Sequence, residues 1–265
     1  MTLDLVDTAT LLLIGLTAGI LGGLAGLGGS IIMIPAMAIL FHGREFDNQH
    51  LFQAAAMAVN VCVSIPAALR HQRAGLIRAD LFRGMLPATA VTIVLGVFFS
   101  NTIDAKLLER CFAAFIVVVA LHTFWTAVAR RPEPDAADAR VTPPRSAAVG
   151  GVMGLFAGVL GVGGGIVAVP MARTLCRLPL KQCIAASAAV MGLTSAFGAA
   201  IKLLTLPDHG FTPWKGLLLA ATLAPTAILG GYVGAGLTRA LPILWVRLVL
   251  ATLLLASSAK MVGLW

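Results

Sequence analysis

The residues best placed to do chemistry are two clusters of glycine. Gly26, Gly28 and Gly29 are followed by Ser30 and Ile31, and Gly161, Gly163, Gly164 and Gly165 are followed by Ile166. Each cluster interrupts an apolar run of helical length. Glycine costs about 1 kcal/mol more than alanine inside a helix, so each cluster marks a point where one helix stops and a shorter one starts. A helix starting at about Ile31 or Ile166 offers first-turn N–H groups without intrahelical partners, together with the positive end of its dipole. Glycine also lets a ligand come close to the backbone. Together these features bind anions. Neither cluster follows a strand or ends in the GK[ST] of a P-loop, so a nucleotide-binding turn is excluded.

The second cluster is a copy of the first. With an offset of 135 and no gap, Gly15, Gly19, Gly23, Gly26, Gly28, Gly29, Ile31 and Pro35 fall on Gly150, Gly154, Gly158, Gly161, Gly163, Gly164, Ile166 and Pro170. Weaker matches continue the repeat: Ser64 with Ser195, Gly96 with Gly230, and Arg110 with Arg247. The chain is built twice, with halves at 1–129 and 146–265. The Pro- and Arg-rich stretch 130–145 between them reads as an extended linker.

The elements that must position these breaks are membrane helices. The 265 residues are 59% hydrophobic and 11% charged, a composition that points to an all-α polytopic membrane protein. Three runs of ordinary spanning length follow the first break (Leu51–Leu69, Leu81–Ser100, Leu108–Ala129). Three more follow the second (Gln182–Leu204, Trp214–Leu237, Leu241–Trp265). Each half therefore has four apolar segments and opens on a glycine-broken one. The N-terminal stretch has Asp4 and Asp7 and no basic n-region, so the first segment is expected to stay in the mature protein. The net charge of +8 sits between apolar runs, where cytoplasmic loops gather it, which argues against nucleic acid as a partner. Cys62, Cys111, Cys176 and Cys183 show no CxxC pairing, and neither a metal nor another cofactor is expected.

Charge placement bears on how the broken segments cross. Leu11–Phe41 would measure about 46 Å as one helix, against a hydrocarbon core of about 30 Å. If both broken segments span, the 19 Lys and Arg divide 11 to 8. If each is a re-entrant hairpin, only Arg44, Lys106, Arg110, Lys202, Lys215 and Lys260 lie on one side and the other thirteen on the opposite side. The positive-inside rule favours the hairpins. Each half then crosses an odd number of times, which makes the protein an inverted repeat.

Irregular backbone at membrane depth must be buried in protein or line a cavity, so the two breaks imply a shared polar site. Further candidates to line it are Asn60, Ser64, Thr194 and Ser195, although such hydroxyls also bond their own helix. Arg70, His71 and Lys202 end their segments; they either snorkel to the interface or attract the anion. His122, inside a segment, either relays protons or packs against a neighbouring helix. Gln53 reads as interfacial.

On GGLAGLGGSIIMIP (Gly22–Pro35), its copy AGVLGVGGGIVAVP (Ala157–Pro170), the small and hydroxylated second segments and the two-half plan, the chain resembles the sulfite exporter TauE/SafE family of permeases. The resemblance covers essentially the whole chain. It implies a secondary transporter in the cell membrane that moves a small sulfur-containing anion such as sulfite, a sulfonate or thiosulfate, with a proton or another ion as a candidate coupling partner. An anion channel or an uptake permease is the alternative. No HExxH, GxSxG or acidic pair lies at membrane depth, so an enzyme is not expected. Substrate identity, transport direction and oligomeric state stay open.

Overall fold

Apolar runs without strand-like alternation fold here into helices. The computed structural model describes residues 3–25, 28–128, 134–237 and 243–261. The helices are α1 (Leu5–Ala25), α2 (Ser30–Leu40), α3 (Gln49–Arg73), α4 (Ala79–Asn101), α5 (Ala105–Val128), α6 (Pro143–Leu160), α7 (Gly165–Leu175), α8 (Leu180–Thr205), α9 (Pro213–Leu237) and α10 (Ile243–Met261). Among the described residues six helices are long and apolar enough to cross a bilayer, whereas α2 and α7 are short. Large apolar side chains such as Leu95, Phe98, Val118, Trp125, Leu229 and Tyr232 are exposed on the outside, as a lipid-facing surface requires. The protein is a polytopic helical membrane protein.

Both long runs break at their glycines, and the parts are unequal. α1 has 21 residues and α6 has 18, against 11 each for α2 and α7, or about 31 and 27 Å against about 16 Å. The first members are longer than half-helices because they begin early. Pro143 and Pro144 occupy first-turn positions where no N–H is needed, and the charge of Asp7 is met by Arg44. The short members start alongside the middle of the long ones. A side chain at Gly29 would meet the Ala18 carbonyl, and one at Gly164 the Met153 backbone. The last turns of α1 and α6 thus extend past the breaks.

The two ends of each broken pair lie close together at one face of the bundle. Arg44, beyond α2, lies 2.8 Å from Asp7 at the start of α1. In the second half the Arg140 N–H, before α6, donates to the Cys176 carbonyl that follows α7, at 2.8 Å. The start of α9 joins the first of these faces, where Lys215 meets Glu45 at 2.6 Å and holds that carboxyl below its usual range. At the opposite face the Arg70 guanidinium, at the end of α3, lies over the Tyr232 ring near the end of α9 at 5.6 Å. The linker contains one 3-10 turn, Ala136–Asp138, with the Asp135 side chain accepting from the Ala137 N–H.

The helices pair across the halves. α1 packs along α9 and α6 along α4, so the first helix of each half lies on the fourth of the other. Gly15 and Gly19 take up the α9 backbone closely and Gly150, Gly154 and Gly158 that of α4, with Gly230 and Gly96 returning the contact. These are the packing glycines that membrane helices use to approach one another. α3 and α8 pack on each other between these pairs, each against its own short helix, α2 or α7.

Candidate functional site

The two glycine breaks meet. Gly28 has φ +78° and Gly163 φ +70°, a region that L side chains rarely adopt. A Cβ on Gly28 would lie 3.2 Å from the Met191 sulfur and 3.6 Å from Asn60 Oδ1. One on Gly163 would lie 2.7 Å from the same sulfur and 2.8 Å from Asn60 Nδ2. Asn60 on α3 and Met191 on α8 therefore form the common wall of both breaks. They are also related by the offset of 131 that matches Ser64 to Ser195, so the two copies contribute an amide and a thioether at equivalent positions.

The helices behind the breaks start one residue earlier than the sequence suggests, at Ser30 and Gly165. Gly29 caps α2 in a right-handed conformation, whereas Gly161 and Gly164 join Gly163 at positive φ. Ile31 and Ile166 are buried in the first turns. Gly26 lies outside the described residues. The N–H groups of Ile32 and Val167 already donate to the Gly29 and Gly164 carbonyls, so the donors that each helix start leaves over are its first two, those of Ser30 and Ile31 and of Gly165 and Ile166.

Polar side chains at the centre are few and buried. Asn60 Nδ2 donates to Ser30 Oγ at 3.0 Å, and Asn60 Oδ1 has no partner. Because the Ser30 hydroxyl can donate or accept, turning the amide over would direct its NH2 group at the breaks instead. Ser64 and Thr194 bond their own helices, to the Asn60 and Met191 carbonyls. Ser195 Oγ is buried and unpartnered, as is Ser187 Oγ on the same helix. Open clefts, such as the one lined by Asp80, Arg83, Gly84 and Thr142, lie away from this centre. The centre itself is closed, with Met191 against both breaks.

The outlying candidates separate sharply. Arg70 is exposed and stacked on Tyr232; His71 is half-buried; His122 is exposed on α5, so neither reading of it as a packed or relaying histidine places it with the buried groups. Lys202 does not snorkel. It is 1% exposed, and its Nζ is within 2.9 Å of His50 Nδ1, 2.8 Å of Ser100 Oγ and 2.9 Å of Asn101 Oδ1. Gln53 is covered as well: it is fully buried and lies between Ser100 and the Val159 carbonyl. His50, Ser100 and Asn101 escaped the sequence reading because they stand at segment ends, His50 at the start of α3 and the other two at the end of α4. Only the packing of α3, α4 and α8 brings them together.

The sulfite exporter TauE/SafE family model matches residues 11–261. The chain belongs to the sulfite exporter TauE/SafE family. It is 26% identical over 289 aligned residues to the "Probable membrane transporter protein MamO" of Magnetospirillum gryphiswaldense, covering 97% of this chain and 45% of that protein. It is 27% identical over 253 residues to the "Probable membrane transporter protein YunE" of Bacillus subtilis, covering 86% of this chain and 88% of the relative. A Haemophilus influenzae "Probable membrane transporter protein" is 27% identical over 193 residues, or 70% and 71% of the two chains. The chain thus spans less than half the length of the two MamO proteins it matches. Within this TauE/SafE chain both glycine motifs lie inside the matched region.

Proposed function

We propose that this protein is a secondary transporter of a small sulfur-containing anion, working by alternating access around the paired glycine breaks. The reading rests on one observation: Gly28 and Gly163, each at positive φ and each just before a short helix, meet on the same two side chains, Asn60 and Met191. Two helix starts aimed at one buried point supply backbone N–H donors and partial positive charge from opposite directions. Few acidic side chains lie among the apolar segments to oppose an anion. The return of each broken pair to its own face supports an inverted repeat, with the linker and the thirteen-charge side in the cytoplasm, and the family name is what points to export as the direction. The family name supports the sulfur-containing substrate, and the inner membrane is the matching location. The domain plan is one transmembrane unit of two halves, 1–129 and 146–265, joined by the linker.

The test is uptake of labelled sulfite and thiosulfate into proteoliposomes. Saturable flux with counterflow supports a transporter. Flux without saturation or counterflow indicates a channel, and flux of neither anion discards the reading.

A further inference from the structure

Lys202 is a buried cation in a membrane helix, and among the described residues no carboxylate lies within 4 Å of it. Burying an ammonium is costly unless every N–H is bonded. Here three acceptors take its three hydrogens: His50 Nδ1, Ser100 Oγ and Asn101 Oδ1. The tautomer of His50 follows from its other side. Nε2 lies 3.1 Å from the Ile103 carbonyl, which can only accept, so Nε2 carries the hydrogen and Nδ1 is free to accept from the lysine. The groups bonded directly to the pair are otherwise neutral. His209, in the turn after α8, stacks on His50 with ring centroids 3.7 Å apart. Asp104 beyond α4 and Asp208 beside His209 are the acidic groups whose fields reach the two rings.

The cluster is wired to the second glycine break. Ser100 accepts from Lys202 and donates to Gln53 Oε1 at 3.3 Å; Gln53 Nε2 donates to the Val159 carbonyl at 3.1 Å, in the last turn of α6. The Gln53 side chain also lies against Gly161, where a Cβ would come within 2.8 Å of its Cγ. Gln53 and Asn60 are seven residues apart on α3, about 10 Å of helix rise.

We propose that Lys202 and His50 form a proton-exchange site that couples proton movement to the anion, with Ser100 and Gln53 tying it to the glycine break. This deepens the transporter reading and rests on it. In the step itself an N–H bond of the Lys202 ammonium breaks and one forms at His50 Nδ1, leaving a neutral amine and an imidazolium. The imidazolium gives its Nε2 proton to water at the nearby face, where Ile103 and the start of α3 lie. His50 is left neutral with hydrogen on Nδ1, now donating to the amine lone pair, and the two remaining amine hydrogens still serve Ser100 and Asn101. The cluster loses one unit of charge, and Nε2, now an acceptor, gives up its bond to the Ile103 carbonyl and turns to the water that took the proton, while the Lys202 contacts to His50, Ser100 and Asn101 persist. A unit charge at roughly 10–15 Å in a medium of effective dielectric about 20 changes anion affinity about tenfold. By linkage, a bound anion favours the protonated cluster by the same factor.

The experiment uses proteoliposomes of the full chain with an entrapped pH dye and thiosulfate as the probe, an anion with no proton to release near neutral pH. In the wild type, inward thiosulfate movement acidifies the lumen. Lys202→Met loses the acidification and retains thiosulfate counterflow with half-saturation raised about tenfold. His50→Gln keeps an acceptor for the lysine and also loses the proton movement, which covers the case in which Lys202→Met fails to fold. Wild-type thiosulfate movement without acidification, or acidification unchanged in both variants, overturns the coupling site and leaves anion transport standing. No thiosulfate movement in the wild type overturns the transporter reading and the coupling with it.

Discussion

The Arg44 guanidinium lies 2.8 Å from the Asp7 carboxylate and ties the exit of the first broken pair to its entrance. Half the chain away, the Arg140 N–H and the Cys176 carbonyl do the same for the second pair through backbone alone. Three helices follow each pair. The N-terminus and the linker should therefore lie on opposite faces of the membrane. Single cysteines replacing Asp4 and Ala137, in a background lacking the four native cysteines, test this with an impermeant thiol reagent. Labelling of both from the same face would rule out the inverted arrangement.

The ion pair itself should contribute little to stability. Arg44 is more than half exposed, and exposed pairs are worth about 0–1 kcal/mol. Arg44→Ala should therefore lower the melting temperature slightly and leave transport intact. A large loss of folded protein would show that the contact closes the hairpin and does more than mark where its ends meet.

Bulk at the breaks should abolish transport. Gly163→Val places a branched side chain at φ +70°, within 3 Å of both Met191 and Asn60, and Gly28→Val places one at φ +78°, with its Cβ 3.2 Å from the Met191 sulfur. The matched control is Gly151, inside α6, where an added Cβ meets only the Thr92 methyl at 3.8 Å. Gly151→Ala should be neutral or stabilise by up to about 1 kcal/mol. Normal flux in the Gly28 and Gly163 variants, with the control also normal, would place the pathway elsewhere.

What the sequence disclosed and what it concealed divide along physical lines. Glycine clusters, their duplication and the apolar segments are local features, so the breaks at 26–29 and 161–165 and the starts of α2 and α7 were legible to within a residue. The partners of those breaks were less so. Asn60 was a candidate for its polarity alone, while Met191 carries no polar signal and emerges only because α8 crosses both breaks. Lys202 looked like a snorkelling end residue since its apolar segment ends two residues later, at Leu204; its burial depends on α3 and α4 closing over it. The burial of Gln53 was hidden for the same reason. Periodicity reports which element a residue belongs to, and says nothing of which neighbour covers the element's end.

Met191 should act as a plug. Its thioether fills the space that an anion entering the breaks would need, and methionine is the flexible apolar side chain best able to swing aside. Met191→Ala should raise the initial rate of sulfite uptake several-fold and weaken saturation, whereas Met191→Phe should suppress uptake while the protein remains folded. Equal rates in both variants would remove Met191 from the pathway.

The ligand should be an anion held mainly by backbone N–H groups. Two helix starts meet at Asn60 and Met191, and the side chains nearest Gly28 and Gly163 are these two neutral ones, so the attraction comes from dipole ends, each worth roughly 0.3–2 kcal/mol. Such donors do not distinguish a sulfur oxyanion from a carboxylate by charge. Discrimination falls to the shape of the closed centre and to the hydroxyls of Ser30 and Ser195, the second of which is buried without a partner. Replacing Ser195 by Ala should therefore change the ranking of anions more than the affinity for all of them. Calorimetry of wild type and Ser195→Ala with sulfite, thiosulfate, sulfate, acetate and an uncharged sulfone checks both halves of this expectation. Tightest binding of the sulfone would remove the anion site. Tightest binding of acetate would keep the site and discard sulfur as the substrate's defining element.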